Sequence, residues 1–386
     1  MDRIRPRTTL TGDRLTQQPV GRGTSSRRFW LRRAGVLLGV VVIIWLIWSI
    51  GDALTAPGND TTGARLAQWG RSHGLGWALS DTQSQANPAR AGQIPGISSS
   101  RARSRRPAIT MPLGYMAPPT PITPQAQPAL PGEGSWQTLV SLHGQAAIRT
   151  AFLRPDAQFT NTQVGVAWLN QKLVKMVLHP GYTVPGGSGW SEPPQVPNSE
   201  RDALLATFNS GFLMPAAEGG YWQDNNTAVP LRQGAASMVL YKDGHMNVVS
   251  WNAGAPGPDI AAVRQNLNLL VDNSAITAEV NSASWGATLG GVTYAWRSAV
   301  GIRGDGAIVF VAGSSMSAGT LANVILAAGT VRAMELDINP AWTNFITYAH
   351  PSPGVAVPQM LTKDEQPNPY RYLQPSARDF VAVLAR

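Results

Sequence analysis

Cysteine is absent from all 386 residues, which rules out disulfide bonds and thiolate chemistry together. Histidine is scarce at five residues, and no two lie close enough in the chain to suggest a local metal pair. Charged residues make up only 14% of the chain. There is no GxSxG elbow, HExxH helix, Walker loop or GxGxxG turn, so the local signatures of four large enzyme classes are missing. No cofactor is expected, and a metal site would have to be assembled from distant loops.

The charge that is present is unevenly spread. The net charge is +9, but residues 1–33 hold nine arginines against Asp2 and Asp13, and residues 34–134 hold seven against four acids. Residues 135–386 are close to neutral, with fifteen basic and sixteen acidic side chains. A nucleic-acid-binding fold carries its basic patch on the folded part. Nucleic acid is therefore not expected as a partner.

What the chain has is apolar residues at 43%, 39 glycines and 30 prolines, enough for a core with many turns. Residues 34–51, AGVLLGVVVIIWLIWSIG, contain no charge and are long enough to span a bilayer as a helix. Arg27, Arg28, Arg32 and Arg33 precede this run, which predicts a cytoplasmic N-terminus and a C-terminal domain outside the cell membrane. Residues 52–134 are rich in Pro, Gly, Ser and Arg and read as a disordered linker. The predicted organisation is a basic leader over 1–33, a transmembrane helix over 34–51, a linker over 52–134 and a folded domain over 135–386.

Within that domain, Asp243-Gly244 joins the apolar runs Ala236–Tyr241 and His245–Trp251, a strong hairpin signal. Gly304-Asp305-Gly306 marks a second hairpin between runs 296–302 and 307–312. Leu321, Val324, Ile325 and Ala328 repeat at helical spacing and stop at Gly329. One helix–strand unit among hairpins predicts an α+β fold, a mixed and largely antiparallel sheet with packed helices.

After that helix, Glu335 and Asp337 share one face of a strand that breaks at Pro340. Their α-carbons are predicted to lie about 6.5 Å apart from the strand rise. Both carboxylates can be solvated at a strand end. In an apolar setting, however, they must be paired, hydrogen-bonded or shifted in pKa. Arg297, at the entry of an apolar strand, is a candidate anion clamp; the alternative is an ion pair with Glu335 or Asp337. In ATFNSGF, Asn209 and Gly211 follow a buried strand, where glycine allows backbone to approach a ligand. The alternative there is a plain hairpin connection. Glu218, beside Gly219-Gly220-Tyr221-Trp222, adds a carboxylate and aromatic faces suited to a sugar.

The ordered blocks FNSGF, VRQNLNLLVDN, RSAVGIRGDGAIVFVA and AMELDINP resemble the phosphodiester glycosidase family. The resemblance spans roughly 136–386 and is densest between Phe208 and Asn339. It implies that Asn209, Arg297 and Asp337 line a pocket. The chain departs from the family pattern at Ser210 and Leu213, where glycine and phenylalanine are usual, and at Glu335, where asparagine is usual. Ile338-Asn339-Pro340-Ala341 stands in place of a glycine run. The implied activity is hydrolysis of a sugar–phosphate diester in the cell envelope. Asp337 and Glu335 would then be the catalytic carboxylates, Arg297 would hold phosphate, and Asn209, Gly211, Glu218 and Asn339 would contact substrate. The rival expectation is a non-catalytic envelope module of the same fold that binds glycopolymer or a partner protein.

Overall fold

The computed structural model describes Trp48, Ile50, Gly51 and residues 114–157, 160–281, 285, 294–365 and 367–386. The chain divides into two units, Met1–Asp52 and Ala53–Arg386. In the first, Trp48, Ile50 and Gly51 are helical. The remainder of the expected leader and transmembrane run, and the expected linker as far as residue 113, lie outside the described residues. Among the described residues, no helix is long and apolar enough to cross a membrane.

Among its described residues, the second unit is built from three antiparallel sheets. The largest has eight strands, and at its centre Val164–Leu169, Ile308–Met316, Ala295–Arg303, Thr330–Glu335 and Leu269–Asp272 lie side by side. A five-stranded sheet carries Leu204–Asn209 between Phe345–Ala349 and Phe380–Ala385. Another centres on Ile260–Gln265, flanked by Tyr221–Gln223 and Ala236–Tyr241. Strand residues alternate between two apolar layers: Ala167 and Leu169 join the layer shared by all three sheets, whereas Val164, Val166 and Trp168 face the opposite one. Phe208, Phe310 and Phe345 meet in the shared layer, with centroids 5.2–6.2 Å apart.

This architecture corrects the expected α+β fold with packed helices. Among the described residues, the only α-helices of the second unit are the four-residue turn Met214–Ala217 and the helix Ala318–Ala327. The reason is connection length: Leu142 to Gln145 and Tyr241 to Met246 are joined by turns too short to hold a helix. The strands Gln137–Leu142 and Gln145–Leu153 fold back on one another at His143-Gly144, both at positive φ. Val164–Leu169 and Val174–His179, joined by a short turn, enter two different sheets. A 3-10 segment, Asn198–Ala203, leads into Leu204–Asn209.

Residues 114–134, assigned to the linker by composition, pack on the sheets. Ile122 and Ala126 are buried, and the buried Glu133 pairs with Arg154 at 2.9 Å. The two expected hairpins form, as Ala236–Tyr241 with Met246–Ser250 and Ala295–Arg303 with Ile308–Met316.

The helix Ala318–Ala327 covers the outer face of the large sheet through Leu321, Ala322, Val324 and Ile325. Its cap is Ser317, whose hydroxyl accepts from the Thr320 amide at 3.0 Å. Gly329, at φ +88, turns the chain into Thr330–Glu335. Ser317→Ala is expected to cost about 1 kcal/mol, read as a lower urea midpoint with an unchanged slope; an unshifted midpoint would show that the cap contributes nothing.

Candidate functional site

Two sheets meet at strand ends, and the polar residues gather there. Antiparallel pairing sets Phe380 opposite Asn209, which brings Arg378 and Asp379 beside the loop Asn209-Ser210-Gly211. The large sheet contributes Asp337, which continues the pairing of Thr330–Glu335 with Ala295–Arg303: Ser298 donates its amide to the Asp337 carbonyl at 2.9 Å. Asn209 ties the sheets together. Its Nδ2 donates to Ser298 Oγ at 3.0 Å, and its Oδ1 accepts from the Asn344 amide at 3.1 Å.

Asp337 is almost fully buried. Its Oδ1 accepts from the amides of Ile338 and Asn339 at 2.7 and 2.9 Å, and its Oδ2 accepts from Arg378 Nη2 at 2.9 Å. Burial holds its carboxyl above the ordinary aspartate value, opposed by the Arg378 guanidinium and those two amides. The same Arg378 nitrogen donates to the Gly211 carbonyl at 2.8 Å. Two adjoining clefts open here and share Asp337, Trp342 and Arg378. One is lined also by Asn209, Ser210, Gly211, Tyr372 and Asp379. The other, of about 110 Å³, reaches Phe212, Leu213, Ile338 and Asn339.

Beneath the loop, Arg264 is fully buried and donates Nε to Asp379 Oδ2 at 2.7 Å and Nη1 to the Gln265 carbonyl at 2.6 Å. A Cβ at position 211 would stand 2.9 Å from the Arg264 guanidinium carbon. Gly211 is thus required by close approach. Asn266, from the VRQNLNLLVDN block, donates to the Glu335 carbonyl at 2.9 Å and accepts from the Phe212 amide at 3.0 Å. This block is the bracket that holds the FNSGF loop against the large sheet.

Six of the seven expected site residues separate into two groups. Asn209, Gly211, Asp337 and Asn339 line the clefts. Glu335 and Arg297 lie beneath, both fully buried, as an ion pair at 2.5 Å. Arg297 also donates to the carbonyls of Met316 and Trp285, each at 2.8 Å. This is the ion-pair alternative for Arg297, and neither residue is among those that line these two clefts. Burial pushes the Glu335 carboxyl up to about 7, against the pull of Arg297 and with a further push from Asp337. Glu218 sits apart, exposed, as the left-handed cap of Met214–Ala217. Among the described residues, no three His, Asp or Glu side chains converge to hold a metal ion.

Arg378, Asp379, Trp342, Tyr372 and Arg371 escaped the sequence reading. Arg371 and Arg378 lie over the Trp342 ring, at 4.6 and 5.0 Å from its centroid. The one usable signal was Arg378-Asp379 abutting the apolar run Phe380–Ala385, the same pattern that drew notice to Arg297.

Residues 204–337 match the model of the phosphodiester glycosidase family. The segment begins with the strand that leads to Asn209 and ends on Asp337. No curated protein matches the chain in sequence. Among solved structures, the chain is similar to the catalytic domain of zebrafish N-acetylglucosamine-1-phosphodiester alpha-N-acetylglucosaminidase, auto-inhibited by its pro-peptide. That similarity is at 14% identity and a TM-score of 0.42, and it covers 65% of this chain and 88% of the other. A hypothetical protein from Synechocystis is similar at 12% identity and a TM-score of 0.35, over 63% of each chain.

Proposed function

We propose that this domain hydrolyses a phosphodiester that joins the anomeric carbon of a sugar to a second alcohol. The observation that carries this reading is the position of Asp337. It is the last residue of the segment that matches phosphodiester glycosidases, and it lies in a cleft with the Arg378 guanidinium on its carboxylate. A glycosyl transition state builds positive charge at the anomeric carbon and negative charge on the departing oxygen. A carboxylate beside a guanidinium answers both.

In this reading Arg378 takes the role expected of Arg297 and holds the phosphodiester, helped by the Gly211 loop. Asp337 faces the anomeric carbon. Water adds its oxygen to that carbon as the bond to the phosphate oxygen breaks, and the electron pair leaves with the phosphomonoester. Asp337 accepts the proton that water loses and returns it to solvent. A phosphate leaving group needs little protonation, so one carboxylate suffices. Trp342 offers an aromatic wall for the sugar. The Glu335–Arg297 pair positions the strand end that carries Asp337. An extracytoplasmic, cell-envelope setting belongs to the same proposal and rests on the sequence pattern of residues 27–51.

A second reading has its own observation. Ile338-Asn339-Pro340-Ala341 stands where the family has a glycine run, and the larger cleft, at about 110 Å³, is small beside ordinary ligand pockets. A module of this kind would bind glycopolymer without cleaving it.

The test is release of sugar and phosphomonoester from a panel of sugar-1-phosphodiesters by the full chain. Arg378→Ala is expected to lower kcat/KM by about a hundredfold, the worth of a charge-assisted contact to phosphate. Binding without turnover by a folded wild type, over the whole panel, would favour the second reading. Equal turnover by wild type and Arg378→Ala would move the phosphate elsewhere.

A further inference from the structure

Two polar atoms in the cleft of Asp337 are buried without a hydrogen-bond partner in the protein: the Ser210 hydroxyl oxygen and Oδ1 of Asp379. The pairing of Asn209 with Phe380 runs on by one residue, because the Ser210 amide donates to the Asp379 carbonyl at 3.3 Å. Residues directly opposite in an antiparallel pair put their side chains on one face, with Cβ atoms about 4.5–5.5 Å apart. The hydroxyl and the carboxylate oxygen are therefore neighbours, within reach of a single small group. A buried polar atom ordinarily has a partner, and here two neighbours in one cleft have none from the protein.

The chemistry of the partner they would take follows from what each residue already has. Asp379 Oδ2 accepts from Arg264 Nε at 2.7 Å, and both side chains are fully buried. The carboxylate charge is thus answered, so Oδ1 calls for a neutral donor and not for a cation. Ser210 can donate as well as accept. One hydroxyl meets both needs, by donating to Asp379 and accepting from Ser210. Ser210 also stands where the family pattern has glycine, so its side chain is an addition to the common loop. Neither atom reaches solvent. The adjoining cleft of about 110 Å³ lies across Asp337, Trp342 and Arg378, which line both clefts. An ion pair holds two of these three, so Trp342 is the side chain that yields when a ligand reaches in.

We infer that Ser210 and Asp379 form a subsite that reads one ring hydroxyl of the sugar whose anomeric bond is cleaved. This inference rests on the hydrolase reading and specifies its substrate class: a sugar that keeps that hydroxyl free, and not one deoxygenated or substituted there. Ser210 and Asp379 are then specificity-determining residues, while Asp337 keeps the chemistry. The competing account is that the Ser210 hydroxyl turns to Asp379 and the two satisfy each other. It makes the opposite prediction for stability, since removing the hydroxyl would then strand a buried carboxylate oxygen.

The experiment measures equilibrium binding to the full chain by calorimetry. The probes are the α and β C-glycosyl methylphosphonate monomethyl esters of glucose and galactose, in which a methylene replaces the anomeric oxygen so that nothing is cleaved. The monodeoxy analogues of whichever probe binds most tightly complete the set. Wild type is expected to bind one monodeoxy analogue about ten- to a hundredfold more weakly than its parent, the range for a hydrogen bond to a charged group. In Ser210→Ala that ratio is expected to shrink by about three- to tenfold, the range for a neutral hydrogen bond, with the ratios at the other ring positions unchanged. Ser210→Gly, which restores the residue usual in the family, is expected to do the same. Ser210→Ala is also expected to melt at or above the wild-type Tm, because the hydroxyl it removes has no partner in the protein. Four results would each overturn the inference: no analogue that loses tenfold, a loss unchanged in both Ser210 variants, a fall in Tm of more than about 3 °C in Ser210→Ala, or no binding of any probe. The hydrolase reading fails separately: a loss confined to one ring position, with no turnover of any sugar phosphodiester, would leave a sugar subsite on a protein that does not cleave.

Discussion

Arg297→Ala is expected to lower the unfolding free energy by about 3–5 kcal/mol, because it strands a buried carboxylate. For a domain of this size that is a fall in Tm of roughly 10 °C. Glu335 has no solvent to turn to, and its Oε2 already lacks a hydrogen-bond partner. The carbonyls of Met316 and Trp285 lose a donor at the same time. Replacing both members, as Arg297→Met with Glu335→Leu, should recover most of the loss, since a well-packed apolar pair avoids the desolvation cost of both charges. A single variant that melts within 2 °C of wild type would show that this pair is not the buried brace described here.

The penalty should depend on pH in a defined direction. The Glu335 carboxyl titrates at about 7 in the folded protein and near 4.5 as an unperturbed side chain. Between these values the folded state holds a proton that the unfolded chain has released, so this group makes stability fall as pH rises from about 4.5 to about 7. Below the window both states are protonated and the effect vanishes. Above it both are ionised and the cost is complete. Glu335→Gln should flatten the stability profile across that window. Arg297→Ala should be more damaging at pH 8 than at pH 5, where the stranded carboxyl takes up a proton.

Asp337→Asn is expected to reduce kcat on a sugar phosphodiester by about 10²–10⁴-fold, the usual range for losing a catalytic acid–base group. The asparagine keeps an oxygen for the Ile338 and Asn339 amides. It cannot carry the negative charge that the anomeric carbon requires, and it sets an amide donor against the Arg378 guanidinium. KM should therefore rise as well. A purely structural role would change Tm and leave kcat near wild type, so both are measured. The wild-type rate should fall on acidification with a limb above the ordinary aspartate value, because burial raises the Asp337 carboxyl. That limb should be missing from the residual activity of Asp337→Asn. An unchanged kcat, or an acid limb that persists in the variant, would remove Asp337 from the chemistry.

Which features were legible in the chain follows from the range of the forces that set them. Asp243-Gly244 and Asp305-Gly306 mark hairpins because a tight turn is decided by a few adjacent residues. The helix Ala318–Ala327 and its stop at Gly329 are likewise decided within one or two turns of chain. Asp337 could be singled out because a carboxylate in an apolar run always needs a partner. Which partner it has is not a local matter.

Arg297 and Arg378 look alike in sequence, each ahead of an apolar strand. Register separates them: pairing of Ala299 with Glu335 puts Arg297 beneath the sheet. Pairing of Phe380 with Asn209 carries Arg378 across the chain to Asp337. The expectation of packed helices failed for a related reason, since short apolar runs suit a helix or a strand until their neighbours supply backbone hydrogen bonds. The sequence by itself determined the two Asp-Gly turns, the helix Ala318–Ala327, the FNSGF loop and the carboxylate that needed a partner. Only the tertiary structure decided which arginine answers it, because strand register over long separations is set by packing and not by the residues next along the chain.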